Sequence, residues 1–385
     1  MKRAGWILTV VLLTPLLVLL PVRAGAVELE VAGKSAVLMD VATGTVLYES
    51  NPHEALAPAS VTKVMTMLLI MEAIDSGKIG LDDTVTASEA AAAKGGSQIY
   101  LKVGETMSVS DMLKSIAVSS ANDCACAMAE HIAGSEAAFV DRMNTRAAEL
   151  GMKDTHFVNC TGLDDDDAAK THRTSAYDIA LMSRELLKNH PTIKKYTTIW
   201  MDTVRNGAFG LSNTNKLIRF YQGATGLKTG FTSGAGYCLS ASAQRDGMEL
   251  IAVVMGAETS QARNAACKSL LDYGFANFAV ISPELTETEP VPVRLGRLPA
   301  VDVRLGDAAS LLIDKAQKSA VTMELQTEPW VTAPVSQGQR LGTLTLKSGE
   351  QVLSRIPLVA AEPVERLTWG NLFVLALRRA AMAKT

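Results

Sequence analysis

Several things this chain does not have narrow its function at once. It has no excess of positive charge: 37 Lys and Arg stand against 40 Asp and Glu, a net charge of −3. Nucleic-acid binders show the opposite bias. Its five histidines include no HExxH, and none pairs with Cys or Asp at convincing ligand spacing, which argues against a metal hydrolase. His156 and Cys160 are four apart but sit in a loop pattern that reads as structural. It has no recognisable disulfide framework. The five cysteines are odd in number; Cys124 and Cys126 are too close on one helix to bond each other, and Cys160, Cys238 and Cys267 follow no known spacing. They read as small buried apolar residues, with one disulfide left open. No internal repeat or low-complexity tract is visible.

What is present suffices for a core without staples: 385 residues, 48% hydrophobic and 20% charged. Lys2 and Arg3 precede an apolar stretch from Trp6 to Leu20, and Ala24, Gly25 and Ala26 form a small-residue cleavage site. Residues 1–26 therefore read as a signal peptide, with an uncleaved N-terminal anchor as the alternative. Either reading exports the protein.

Two β-rich runs, Ala36 to Val41 and Thr45 to Tyr48, flank a turn at Gly44 and predict a hairpin. Helical patterns follow from Ser60 to about Ser76, Asp111 to Ala133, Ser135 to Leu150 and Thr174 to Lys188, each near a capping residue. Strand patterns then run over Ile199 to Val204, Gly226 to Gly230, Tyr237 to Gln244 and Leu250 to Gly256. The last two are joined by the tight turn Asp246–Gly247. A helix is expected from Gln261 to Tyr273. This order predicts an α/β domain over residues 27–278: one sheet covered by helices, with a helical subdomain inserted between its strands. Short strand candidates at Val301–Leu305, Val321–Leu325, Leu341–Leu346 and Val352–Leu358 predict a small all-β domain over 283–361. In the tail, 362–385, Trp369, Leu372, Phe373 and Ala376 recur at helical spacing. That run is too short to span a bilayer. It fits an amphipathic helix lying in a membrane surface, Arg378, Arg379 and Lys384 near anionic headgroups, or packing on the β domain.

Three short motifs carry chemistry. Ser60 and Lys63 lie three apart at a helix start, so they share one face. A serine hydroxyl is a weak nucleophile until a base takes its proton, and a buried lysine near a second cation can be neutral enough to be that base. Ser120 and Asn122 form a polar pair able to relay a proton and to hydrogen-bond Lys63 and a substrate amide. Lys228, Thr229 and Gly230 lie on a strand: a cation, a hydroxyl for a carboxylate, and a glycine that lets a substrate backbone lie close. The backbone N–H groups of Ser60 and Phe231 would form an oxyanion hole. Each motif alone has an ordinary structural explanation; all three in this order are hard to obtain by accident.

With these motifs the chain resembles the D-alanyl-D-alanine carboxypeptidases of the low-molecular-mass penicillin-binding protein type, serine peptidases of family S11. Further residues carry the likeness: Leu38 to Gly44, Ala57 to Thr66, Ser120 to Asp123, Ala129 to Ser135, Thr155 to Asp164, Thr225 to Thr232 and Ala235 to Leu239. The resemblance implies a β-lactamase/transpeptidase-like fold followed by the β domain and tail. It implies that Ser60 is acylated, Lys63 is the base, Ser120 and Asn122 assist, and Lys228 and Thr229 receive the substrate's terminal carboxylate. Arg263 matches a family arginine near that carboxylate. The expected substrate is a peptidoglycan stem peptide ending in D-Ala-D-Ala. β-Lactams are expected as covalent inhibitors; no cofactor, metal or nucleic acid is expected. Cys160 stands where the family often has proline.

Three other readings use the same machinery. A class A β-lactamase needs a deacylating glutamate, and none occurs between Glu149 and Glu185. A D,D-endopeptidase or transpeptidase differs only in its substrate or acceptor. A sensor would acylate without turnover. Asp164 to Asp167 reads as an exposed acidic loop rather than a cation site.

Overall fold

A computed structural model describes residues 29, 31–165, 167–285, 288–306, 310–370 and 373. The expected signal peptide lies outside them, as does nearly all of the tail beyond residue 370.

The α/β domain is built on a five-stranded antiparallel sheet. Its order is Val46–Ser50, Ser35–Asp40, Met248–Ala257, Gly236–Arg245 and Ala224–Thr232. The predicted hairpin, strands and Asp246–Gly247 turn fall within these elements; Asp246 and Gly247 both take positive φ, as that turn requires. The central strands are apolar without alternation because both faces are covered. Val37, Met39, Ile251 and Val253 enter the core beneath the helical block. Leu38 and Leu250 point the other way, where a Cβ on Gly274 of the Ser260–Asn277 helix would meet them.

Three expectations need correction. Residues 111–133 are not one helix. Helix Val109–Ser119 stops at Ser120, which takes a left-handed φ of 64°, and a second helix spans Asn122–Ala133. The Asn122 N–H leaves helical register for the Ser97 carbonyl (2.7 Å). Likewise Ser60 does not open an α-helix. It sits in a 3₁₀ turn, Ala59–Thr62, before helix Lys63–Asp75. The Ile199–Val204 pattern also fails to join the main sheet: Met201–Val204 pairs locally with Phe209–Ser212 in a separate ribbon.

The C-terminal all-β domain contains a four-stranded sheet (Val303–Leu305, Gln351–Ala360, Arg340–Ser348, Val321–Thr327) and a three-stranded one (Ala300–Val301, Val291–Arg294, Val331–Thr332). Phe278–Ile281 pairs with Leu311–Asp314. Among the described residues no helix is long and apolar enough to cross a membrane. Trp369 and Phe373 are exposed. All five cysteines are free and buried.

Candidate active site

The site grows from the 3₁₀ turn. Pro58 precedes it, and Ala59 adopts a φ of 47°, unusual for a residue with a side chain. This turn presents Ser60 half-buried, one step before the helix on which Lys63 is fully buried. Lys63 Nζ lies 2.8 Å from Ser60 Oγ and donates to the Thr161 carbonyl at 2.8 Å. Burial lowers the Lys63 pKa to about 7, against smaller opposing pulls from Cys160 and Asp123. The Thr161 carbonyl is held in place by Asn159, whose Oδ1 accepts from the N–H groups of Thr161 (3.1 Å) and Gly162 (2.6 Å).

The Ala224–Thr232 strand forms the facing wall. A Cβ at Gly230 would sit 2.6 Å from the Pro58 carbonyl and 3.1 Å from Ser60 N, so only glycine lets strand and turn meet this closely. Lys228 is 1% exposed. Its pKa is driven well below the ordinary lysine value by burial first, then by the charges of Lys63 and Arg263. Thr229 Oγ1 donates to Thr214 Oγ1 (2.7 Å), and the Thr214 N–H donates to the Val118 carbonyl (3.1 Å) at the end of helix Val109–Ser119. This ties Thr229 to the segment bearing Ser120. Phe231 follows at the strand's exposed edge, its ring stacked on Tyr237 at 4.2 Å. Arg263 lies behind this edge, its guanidinium 5.8 Å from the Tyr237 ring and Nη1 3.4 Å from the Cys238 carbonyl.

Ser120 and Asn122 close the third side. A Cβ on Gly96 would meet both Asn122 Nδ2 (2.8 Å) and Leu163 Cδ2 (3.1 Å), which places Asn122 against the Thr161 loop. Ser120 Oγ and Asn122 Oδ1 are buried without a hydrogen-bond partner. Unsatisfied buried polar atoms are costly and call for an explanation.

Two details differ from expectation. Asn122 does not hydrogen-bond Lys63, because its Nδ2 donates to the Gly95 carbonyl (2.7 Å) and Thr161 takes Lys63's second bond. Burial, rather than Lys228, is what lowers the Lys63 pKa. Residues not singled out from sequence also build the site: Thr161, Gly162, Thr214 and Asp123, whose carboxylate accepts from the Ile99, Leu101 and Cys124 N–H groups. Such backbone-mediated roles leave little sequence signal.

Residues 22–259 match the family model "D-alanyl-D-alanine carboxypeptidase", and 285–366 match "Penicillin-binding protein 5, C-terminal domain". The chain belongs to the D-alanyl-D-alanine carboxypeptidase family. It is similar to D-alanyl-D-alanine carboxypeptidase DacF of Bacillus subtilis, 45% identical over 345 residues covering 88% of this chain and 87% of DacF. The crystal structure of penicillin-binding protein 5 from Haemophilus influenzae superposes with a TM-score of 0.72 at 31% identity, covering 89% of this chain and all of that one. Penicillin-binding protein D2 from Listeria monocytogenes, in its ampicillin-bound form, matches with a TM-score of 0.59 at 33% identity over 64% of this chain and 99% of that one.

Proposed function

We propose that this protein is a serine D-alanyl-D-alanine carboxypeptidase that removes the terminal D-alanine from peptidoglycan stem peptides. The observation that carries this is the contact between a fully buried Lys63 amine and Ser60 Oγ, with the amine's pKa lowered to about 7. Neutral Lys63 takes the Ser60 proton as Oγ attacks the penultimate D-alanine carbonyl. The resulting oxyanion is stabilised by the N–H groups of Ser60 and Phe231. Ser120 passes a proton to the leaving amine, D-alanine departs, and water hydrolyses the acyl-enzyme with Lys63 again as base. Lys228, Thr229 and Arg263 supply positive charge and a hydroxyl for the terminal carboxylate, and Asn122 Oδ1 accepts from the substrate amide.

The same cleft admits β-lactams, which acylate Ser60. No deacylating glutamate stands between residues 149 and 185, so the adduct is long-lived. The reaction takes place outside the cytoplasm, with the tail resting on the membrane surface; exposed Trp369 and Phe373 support that placement. The test compares wild type with Ser60→Ala, using labelled penicillin and D-alanine release from a D-Ala-D-Ala peptide. Both signals should vanish in the variant. Labelling that survives would reject Ser60 as nucleophile, and labelling of wild type without D-alanine release would favour a sensor.

A further inference from the structure

The nucleophile turn is held by a chain of side chains that has no part in the chemistry above. His172, 3% exposed, places Nε2 2.8 Å from Thr62 Oγ1. Its other nitrogen, Nδ1, accepts from the Val158 N–H at 3.3 Å, so the ring proton sits on Nε2 and the imidazole donates to Thr62. The Thr62 hydroxyl then donates its own proton to the Ala59 carbonyl at 2.8 Å. Burial, with the charges of His156 and Arg173, lowers the His172 pKa to about 4, which keeps this donor pattern intact at neutral pH.

Ala59 C=O and Ser60 N–H belong to one trans peptide plane and point in opposite directions. The surroundings follow that geometry. A Cβ on Gly162 would fall 1.8 Å from the Ala59 oxygen, whereas one on Gly230 would fall 3.1 Å from Ser60 N. The carbonyl is enclosed on the Thr62 side, and the amide faces the substrate strand. Fixing the carbonyl therefore fixes the direction of the amide. The turn needs such a restraint because Ala59 holds a φ of 47°.

We propose that His172 and Thr62 are positioning residues for the Ser60 oxyanion donor, acting as one chain from His172 Nε2 through Thr62 Oγ1 to the Ala59 carbonyl. The proposal rests on Ser60 as the acylated residue, which the Ser60→Ala comparison decides separately.

Losing an oxyanion donor outright costs about 10²- to 10³-fold; misdirecting one should cost about 10- to 100-fold. Thr62→Val and His172→Leu should each lower kcat and the penicillin acylation rate by that factor, with KM within about threefold of wild type. Thr62→Ser and His172→Gln, which keep the donors, should recover most of the rate. Since the two residues act in series, Thr62→Val/His172→Leu should be no slower than the worse single variant. Thr62→Ala is the second variant should Thr62→Val not fold. A folded hydroxyl-free variant acylating at the wild-type rate would overturn the proposal. So would losses that multiply in the double variant, or a Thr62→Ser variant as slow as Thr62→Val.

Discussion

The two domains of this chain are built to opposite rules. In the C-terminal β domain the core is Val291, Val293, Val301, Leu341, Leu344, Leu346, Ile356, Leu358 and similar residues. Among the described residues, no buried polar or charged side chain lies beyond Arg263. The catalytic domain instead buries Lys63, Lys228, Asp123, Asp178, His172 and Arg263. Burying a charge without a matched partner is expensive, and the group escapes by changing its protonation. Burial pushes the pKa of both buried lysines down, that of Lys63 to about 7. Polar burial is thus concentrated where a neutral amine is needed and absent where only packing is needed.

The sharpest way to break this contrast is to make Lys63 apolar. Lys63→Met should lower the acylation rate by about 10³-fold, the scale of a lost general base. It should also raise stability at pH 7 by about 2 kcal/mol, since the site no longer buries an ionisable group. Labelled-penicillin kinetics and chemical denaturation check the two halves. A variant both inactive and less stable would mean that the amine's two hydrogen bonds outweigh its desolvation.

Glycines give the next contrast. Gly230 in the site and Gly342 in the β domain both press on a carbonyl: a Cβ would stand 2.6 Å from Pro58 O in one case and 2.4 Å from Gln326 O in the other. Gly230→Ala should push the strand off the nucleophile turn and cost about 10²-fold in acylation, as small misplacements do. Gly342→Ala should strain its own sheet and leave acylation unchanged. Equal losses in the two variants would show that the domains are coupled.

The lowered lysine pKa gives a smaller, graded effect. Acylation needs the neutral amine, so its rate should climb about tenfold per pH unit on the acid side and level off above a pH near 7. Stability follows the same group. The unfolded chain holds this proton more tightly, up to the ordinary value of 10.5. Between about pH 7 and 10.5 the unfolded state binds more protons, and this group's contribution to stability rises with pH. Lys63→Met should remove that portion of the slope.

The contrast between domains also decides what was readable in the sequence. Ser60, Lys63, Lys228, Thr229 and Gly230 are marked by their side chains, or by the lack of one, at fixed spacing; the structure brings Ser60, Lys63 and Gly230 together and sets Lys228 within reach of the Lys63 charge. The sheet strands were legible from their apolar runs and from the Asp246–Gly247 turn. The break at Ser120 was not, because no glycine or proline marks it; the left-handed residue is a serine whose hydroxyl is left free of protein partners. Thr161 reaches Lys63 through its carbonyl, and Thr62 acts on a backbone oxygen, so residue type carries little signal for either. The Asn122 amide reads as a partner for Lys63 because nothing in the sequence places the Gly95 carbonyl beside it. In the β domain the strands Val291–Arg294 and Val331–Thr332 are too brief for alternation to stand out in the sequence.

The smallest expected effect on activity is the most demanding test of the division. Leu344 is 2% exposed at the centre of the β-domain core. Leu344→Ala should cost that domain about 2–5 kcal/mol, the usual range for an emptied leucine site. None of these site residues lies in that domain: the contacts given above for the nucleophile turn, the Thr161 loop and the strand bearing Lys228 come from residues up to Arg263. Penicillin acylation below the β domain's melting point should therefore match wild type, while a thermal scan shows an earlier transition. A fall in acylation that tracks the loss of β-domain stability would mean that the apolar domain helps hold the catalytic cleft in shape. The separation of roles drawn from buried polarity would then fail.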